Sequence, residues 1–311
     1  MIVTISQAAD IILKGGILAI PTETVYGLAA DAFNVLAVKK TFEAKGRPAD
    51  NPLIVHISNL KQMHQLCDDT PEMADLITTS FWPGPLTIVL NKKQTVPDVV
   101  TGGLHSVAIR MPDHPTALEL IEQTGPLTAP SANKSGRPSA TRPEHITSDF
   151  GKSMPILEGN SPGLGIESTV LDLRSDTPLI LRPGSITAEL IEEKTGIHVL
   201  PYTSKSEGLE NSPGTRYTHY RPAANVQIID HIPTHIEGNI YYIIHSSTDS
   251  APLPNVYNYL GDFDKLAQDL YDHFRQADHL GYSQIMLEEL PDDKKKPIIS
   301  ALRDRISRAS S

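Results

Sequence analysis

Cysteine is nearly absent: Cys67 is the only one in 311 residues. A single thiol forms no intramolecular disulfide and no multi-cysteine zinc site, and it suits a reducing compartment. Cys67 closes the helix-like run Leu60 to Cys67 and is read as structural. Long hydrophobic runs are missing too, since no stretch approaches the roughly 18 apolar residues a membrane helix needs. Met1 to Gln7 has no basic region followed by an apolar core, so no secretory leader is expected. These absences predict a soluble, cytoplasmic protein without membrane contact. Positive charge is in deficit: 27 Lys and Arg against 37 Asp and Glu give −10. A protein whose main task is coating nucleic acid is normally basic, which disfavours that class while leaving room for a local basic cleft.

The common phosphate-binding signatures are also missing. There is no G-x-x-x-x-G-K-[ST] and no G-x-G-x-x-G after a strand. Gly163-Leu164-Gly165 lacks the third glycine and reads as a turn. Ser131 is not in a G-x-S-x-G setting, so no nucleophile–base arrangement emerges. His231 and His235 have helical metal spacing, but Pro233 breaks that helix, and no protein metal site is expected. A nucleotide here must be held by basic side chains and hydroxyls.

What is present alternates helix and strand. Ser6 is a candidate cap for a helix with Ala8, Ile11 and Ile12 on its apolar face, stopped by Gly15-Gly16. Buried strands are expected at 17–20, 53–57, 86–90, 106–110 and 168–173, with helices at 35–44 and 115–124. The pattern predicts a mixed α/β catalytic domain over residues 1–200. Residues 201–225 read as a linker, yet the run Ser212 to Pro222 is unusually dense in binding groups. Strands at 226–229, 240–244 and 284–287 and helices at 263–277 and 297–309 predict a small, Rossmann-like α/β domain over residues 226–311.

Two clusters carry the chemistry. Lys45 and Arg47 are two apart, so an extended segment would point both cations the same way. Ser131 and Asn133 share that spacing after Thr128-Ala129-Pro130 and supply neutral groups that orient a phosphate, ribose or carboxylate. Arg110 and Arg182 each end an apolar strand, where open α/β sheets place ligands and arginine binds carboxylate or phosphate bidentately. Thr24 in Pro21 to Leu28, His56 within Leu53 to Ile57, and Ser168 in Gly165 to Val170 add orienting groups. Such an inventory suits catalysis by positioning and electrostatics, as in phosphoryl or nucleotidyl transfer.

With these residues collected, the chain resembles the threonylcarbamoyl-AMP synthases, the YrdC-type family, in their two-domain form. The carriers are PTETVYGL (21–28), KGRPADNPL (45–53), PGPLT (83–87), VAIRMPDHP (107–115), APSANKSGRPS (129–139), GIESTV (165–170), LRPGSI (181–186) and SPGTRYTHYRP (212–222). The resemblance implies a YrdC-like fold with a deep cleft. It also implies synthesis of threonylcarbamoyl-adenylate and pyrophosphate from L-threonine, bicarbonate and ATP, with Mg²⁺ accompanying the nucleotide. A downstream threonylcarbamoyl transferase complex would then modify the tRNA adenosine beside the anticodon, with at most weak tRNA contact by this chain. Lys45, Arg47, Ser131 and Asn133 correspond to the catalytic tetrad. Arg47, Asn51, Ser106, Ser131, Ser139, Arg182 and Tyr220 correspond to ATP positions. Thr24, His56, Arg110, Ala129 and Ser168 correspond to the threonine pocket, with Arg110 clamping the carboxylate and Ala129 acting through its backbone. The linker residues Tyr217, His219 and Tyr220 would fold over the nucleotide as a lid.

Two other readings stay open on residues alone. One is a double-stranded RNA or tRNA binding module, weakened by the acidic balance. The other is a carbamoyl-transfer domain using carbamoyl phosphate, which would usually come with zinc-finger and acylphosphatase-like segments that this chain lacks.

Overall fold

A computed structural model describes residues 1–68, 70–203, 219–233, 235–246, 253–293 and 296–310. Tyr217 and most of the expected linker lie outside the described residues. Among the described residues, ten strands form a mixed sheet and four form a second sheet whose pairings are all parallel. In spatial order the large sheet runs Ile2–Val3, Ile156–Leu157, Leu18–Ile20, Gly27–Asp31, Leu127–Thr128, Ile54–His56, Ser106–Arg110, Leu86–Asn91, Thr169–Asp172 and Leu179–Arg182. Mixed parallel and antiparallel pairing establishes the expected α/β class.

Local chemistry fixes the ends of the elements. The first helix, Ile5–Leu13, is capped by Thr4 rather than Ser6. Thr4 Oγ1 takes the Gln7 amide while Gln7 Oε1 takes the Thr4 amide at 3.0 Å, a reciprocal box that Ser6, already the second residue of the helix, does not form. The segment after Thr24 continues as a strand, Gly27–Asp31, where Gly27 lies so close to Ala129 that an added Cβ would stand 2.9 Å from that residue's Cβ.

The helix Val35–Lys45 starts at an Asn34 cap and ends in Gly46, whose φ of +62° is left-handed. This corrects the extended reading of Lys45 and Arg47. Lys45 is the last helical residue and Arg47 follows the glycine turn, so the turn and not strand alternation delivers the second cation.

One end of the sheet gathers the site. His56 pairs with Arg110, Arg110 with Thr87, Leu86 with Thr169, and Arg182 with Val170. Three strands therefore end, and two begin, at the same edge, as expected for Arg110 and Arg182.

The four-stranded sheet, Asn225–Ile229, Gln284–Glu288, Tyr241–Ile244 and Val256–Asn258, is covered by helices Phe263–His279 and Ile298–Ser310. Their buried residues, Leu266, Leu270, Phe274, Leu302 and Ile306 among them, recur at three- and four-residue spacing and form one core. Val25 and Ile166 of the large lobe enter that same core. Buried ion pairs fasten the lobes further: Arg275 reaches Asp149 at 2.9 Å, and Arg305 reaches Glu167 at 2.9 Å. No helix among the described residues is long and apolar enough to cross a membrane.

Candidate active site

A cleft opens at this edge of the large sheet, walled by the large lobe and by His219 and Tyr220. Its walls include Thr24, Arg47, His56, Arg110, Ala129, Ser131, Ser168, Arg182 and Tyr220, nine of the residues expected from sequence. Ile54 and Ala129 supply apolar wall, while three arginines and several hydroxyls converge on it.

Arg110 is held from three sides. Its Nε donates to Gly84 O at 3.2 Å and its Nη1 to Thr24 Oγ1 at 2.8 Å. Its Nη2 stands 2.5 Å from Glu23 Oε1, an ion-pair distance without hydrogen-bond geometry. His56 is buried beside it. Burial and then the Arg110 charge hold its imidazole down at about 3, so it is neutral near pH 7. Ser168 Oγ lies 2.8 Å from Thr87 Oγ1, and Arg182 Nη2 donates to Ser168 O at 2.9 Å and to its Oγ at 3.2 Å.

At the other end Arg47 Nη2 donates to Asn51 Oδ1 at 2.5 Å and to Pro52 O at 2.9 Å, which orients the guanidinium along the wall. Lys45 is 2% exposed and not itself part of the wall. Its Nζ donates to the carbonyls of Ser131 and, at 2.6 Å, of Asn133. Burial, and then the neighbouring Arg47 charge, push its pKa well below the ordinary lysine value. Asn133 Nδ2 bonds the carbonyls of Lys134 and Arg137 at 2.8 and 2.9 Å, so Lys45 and Asn133 both brace the Ser131 loop.

Asn51, Ser106 and Ser139 are buried behind the wall as well. Asn51 supports Arg47, Ser106 starts the strand that ends in Arg110, and Ser139 donates to Glu167 Oε1 at 2.5 Å.

His219 and Tyr220 both stand on the cleft wall. Tyr220 has φ +68°, an unusual value for a non-glycine residue. Stacking on Tyr271 at 5.3 Å and the Arg305 guanidinium 5.4 Å above its ring hold it there. Burial, and then the Arg47 charge, hold His219 at about 3.

Several polar atoms around this cleft are buried without a hydrogen-bond partner in the protein: Asn51 Nδ2, His56 Nδ1, Asn133 Oδ1 and His219 Nε2. Buried polar groups are normally satisfied, and leaving one bare costs about 1–3 kcal/mol. Their concentration here marks a site built for a polar ligand. Sequence reading missed Glu23, Glu167, Tyr271 and Arg305. The two glutamates lay inside quoted motifs, but Arg110 is far from Glu23 in sequence and Tyr271 and Arg305 are 104 and 138 positions from Glu167, so no local pattern announces those pairs.

The profile described as Sua5_yciO_yrdC, telomere recombination, matches residues 10–184. A second, described as the threonylcarbamoyl-AMP synthase C-terminal domain, matches residues 186–311. The chain belongs to the Sua5/YciO/YrdC family. The threonylcarbamoyl-AMP synthase of Pyrococcus abyssi (strain GE5 / Orsay) is 41% identical over 97% of this chain and 93% of its own length. That of Bacillus subtilis (strain 168) is 43% identical over 93% of this chain and 88% of its own. The crystal structure of P. abyssi Sua5 complexed with L-threonine is similar with a TM-score of 0.87 at 37% identity, covering 100% of this chain and 97% of that one. The two-lobed Sua5/YciO/YrdC architecture thus spans the whole chain.

Proposed function

We propose that this chain is a nucleotidyltransferase that joins L-threonine, bicarbonate and ATP into threonylcarbamoyl-AMP, releasing pyrophosphate and water. The observation carrying the proposal is that one cleft brings together Arg110, Arg182, Arg47 and Ser131; in this reading Arg110 faces a carboxylate and the other three face the phosphates. The threonine complex of P. abyssi Sua5 supports threonine as a substrate and the names of the related synthases support the product, while ATP and bicarbonate rest on the reading of the site.

In this reading Arg110 takes the threonine carboxylate, with Thr24 holding the guanidinium and the backbone of Ala129 lining the pocket. His56 and Ser168 orient the amino acid. His56 remains neutral at working pH, so it serves as a hydrogen-bonding group and is too weak a base to strip an ammonium. The unprotonated amine attacks carbon dioxide or bicarbonate and becomes an N-carboxylate. An oxygen of that carboxylate attacks the α-phosphate of ATP, the bond to the bridging oxygen breaks, and pyrophosphate leaves.

Charge concentrates on the phosphate chain in the transition state, where Arg47, Arg182 and the Ser131 hydroxyl stabilise it. Lys45 and Asn133 brace the Ser131 loop and Asn51 holds Arg47, while Ser106 and Ser139 are the remaining positions assigned to ATP. Among the described residues no cluster of three or more His, Cys, Asp or Glu is arranged to hold a metal. In this reading Mg²⁺ belongs to the substrate, arriving on the triphosphate. His219 and Tyr220 close the cleft over the mixed anhydride, which water would otherwise hydrolyse. The product would pass, in the cytoplasm, to a transferase complex that modifies tRNA beside the anticodon, with tRNA contact by this chain weak at most.

The test is pyrophosphate release from MgATP with and without L-threonine and bicarbonate. Release requiring both, with serine and valine much poorer, is the expected result. Release indifferent to threonine would sink the proposed acceptor.

A further inference from the structure

We propose that the second lobe is a working part of the nucleotide end of the cleft, with Arg305 and Tyr271 acting as positioning residues that hold Glu167 and, through it, Ser139. The proposal rests on the ATP-binding reading above.

Glu167 is a carboxylate on the wall of a cleft otherwise rich in arginine. Beside a bound triphosphate its negative charge is a liability unless another group takes it up. The large lobe contributes the Ser139 hydroxyl at 2.5 Å. The second lobe contributes the rest: Tyr271 OH donates to Oε2 at 2.9 Å and Arg305 Nε donates to the same oxygen at 2.9 Å. Arg305 is fully buried, anchors on Pro183 O at 3.0 Å, and continues to Asp304 at 2.6 Å, which Arg308 reaches at 3.0 Å. The row Glu167, Arg305, Asp304, Arg308 alternates in sign and sums to zero.

The burial cost that would raise the Glu167 pKa is outweighed by the Arg305 and Arg182 charges and the Ser139 bond, which hold it at about 2. It is therefore ionised at every working pH, and the cancellation must come from a neighbour, not a proton. The same two residues of the second lobe also hold Tyr220: Tyr271 stacks on its ring, and the Arg305 guanidinium lies over that ring. Val25 and Ile166, next to Thr24 and Glu167 in sequence, are buried in the second lobe's core. Both site-bearing loops of the large lobe are thus seated on the small one.

If Arg305 acts by neutralising Glu167, removing both charges is less harmful than removing one. The experiment is titration of full-length protein with a non-hydrolysable ATP analogue plus Mg²⁺, and separately with L-threonine, for wild type, Arg305→Met, Glu167→Gln/Arg305→Met and Tyr271→Phe. Arg305→Met is expected to weaken analogue binding by about tenfold or more, corresponding to one unpaired charge near the phosphates. Threonine affinity should stay within about threefold, and the double variant should regain most of the lost nucleotide affinity.

Wild-type analogue binding by folded Arg305→Met, or a double variant no better than the single, overturns the proposal. Should Arg305→Met not fold, Tyr271→Phe decides. Loss of its one hydroxyl is expected to weaken the analogue about threefold, and unchanged affinity overturns the idea. Because binding is read without turnover, a chain that binds the analogue in this Arg305-dependent way but releases no pyrophosphate refutes the synthase reading alone.

Discussion

Replacing Lys45 by methionine preserves most of the side-chain volume and removes the buried ammonium that joins the Val35–Lys45 helix to the Ser131 loop. Two carbonyls, Ser131 O and Asn133 O, lose their donor. Leaving two buried carbonyls without a donor costs about 1–3 kcal/mol each, and removing a buried charge that those carbonyls only partly offset returns some of that cost. A net loss of about 3 kcal/mol follows, and for a chain of this class it lowers Tm by about 6–12 °C. The loop carries Ser131 into the cleft wall, so the same slackening reaches the phosphate end. If the loop's position matters fully in the transition state, about 3 kcal/mol becomes roughly a 100-fold fall in kcat/KM for ATP.

Thermal melting and steady-state pyrophosphate release on the same preparations measure both numbers. The lysine pKa is depressed from 10.5 on folding, so between the depressed value and 10.5 the unfolded chain holds more protons and stability rises with pH. The Tm gap between wild type and variant should therefore widen toward pH 10. A variant with lowered Tm but kcat/KM within threefold of wild type would refute the catalytic bracing. An unchanged Tm would refute the two hydrogen bonds as a source of stability.

Arg110→Lys loses the fork that spans Gly84 O and Thr24 Oγ1, and KM for threonine should rise about tenfold or more with KM for ATP nearly unchanged. Equal increases for both substrates would contradict the assignment of Arg110 to the threonine end. In acid, His56 and His219 stay neutral in the fold down to about 3 while the unfolded chain protonates them near 6.5. Stability therefore falls as pH drops from 6.5 toward 3, by at most about 1.4 kcal/mol per pH unit for each histidine. Urea unfolding of His56→Gln between pH 4 and 6.5 should show a slope shallower by about one proton, and an unchanged slope would count against the burial argument. Gly165 has φ +78°, and a Cβ there would run into the backbone of Ala267 and Gln268 in the second lobe. Gly165→Ala should expose the lobe junction to limited proteolysis and lower Tm, whereas wild-type resistance would contradict the close approach.

The parts of this molecule legible in the sequence are those with short-range grammar. Val107 to Arg110 reads as an apolar strand ending in a cation, and it is one. The Phe263–His279 helix announces itself by apolar residues at three- and four-residue spacing. The strands Ile2–Val3 and Ile156–Leu157 went unread, because two-residue strands carry no period and exist only through their partners. Lys45 and Arg47 were found as a pair, but their geometry depends on the left-handed Gly46, which spacing alone does not reveal. Glu167 was visible as a letter in a motif. Its meaning was not, since Tyr271 and Arg305 come from helices more than 100 positions downstream.

These buried cations illustrate two different uses of positive charge. Lys45 is anchored on neutral carbonyl oxygens, which fix its position without cancelling its charge. Arg305 is anchored on Glu167 and Asp304, which cancel it. Burial alone would disfavour both, so each arrangement needs a compensating gain. For Arg305 the gain is internal: the ion pair joins the two lobes and silences a carboxylate on the cleft wall. For Lys45 the carbonyls offset only part of the cost, and the lowered pKa records the remainder. An anion entering the cleft supplies what is missing, because it stabilises the charged form of a lysine whose proton is otherwise weakly held. Binding of a polyanion should therefore raise the Lys45 pKa and take up protons from solution at alkaline pH. Calorimetric titration of the ATP analogue in buffers of different ionisation enthalpy reads that uptake directly. Proton uptake near pH 9 that disappears in Lys45→Met is the expected result, and equal uptake by both proteins would show that the cation is indifferent to the phosphates.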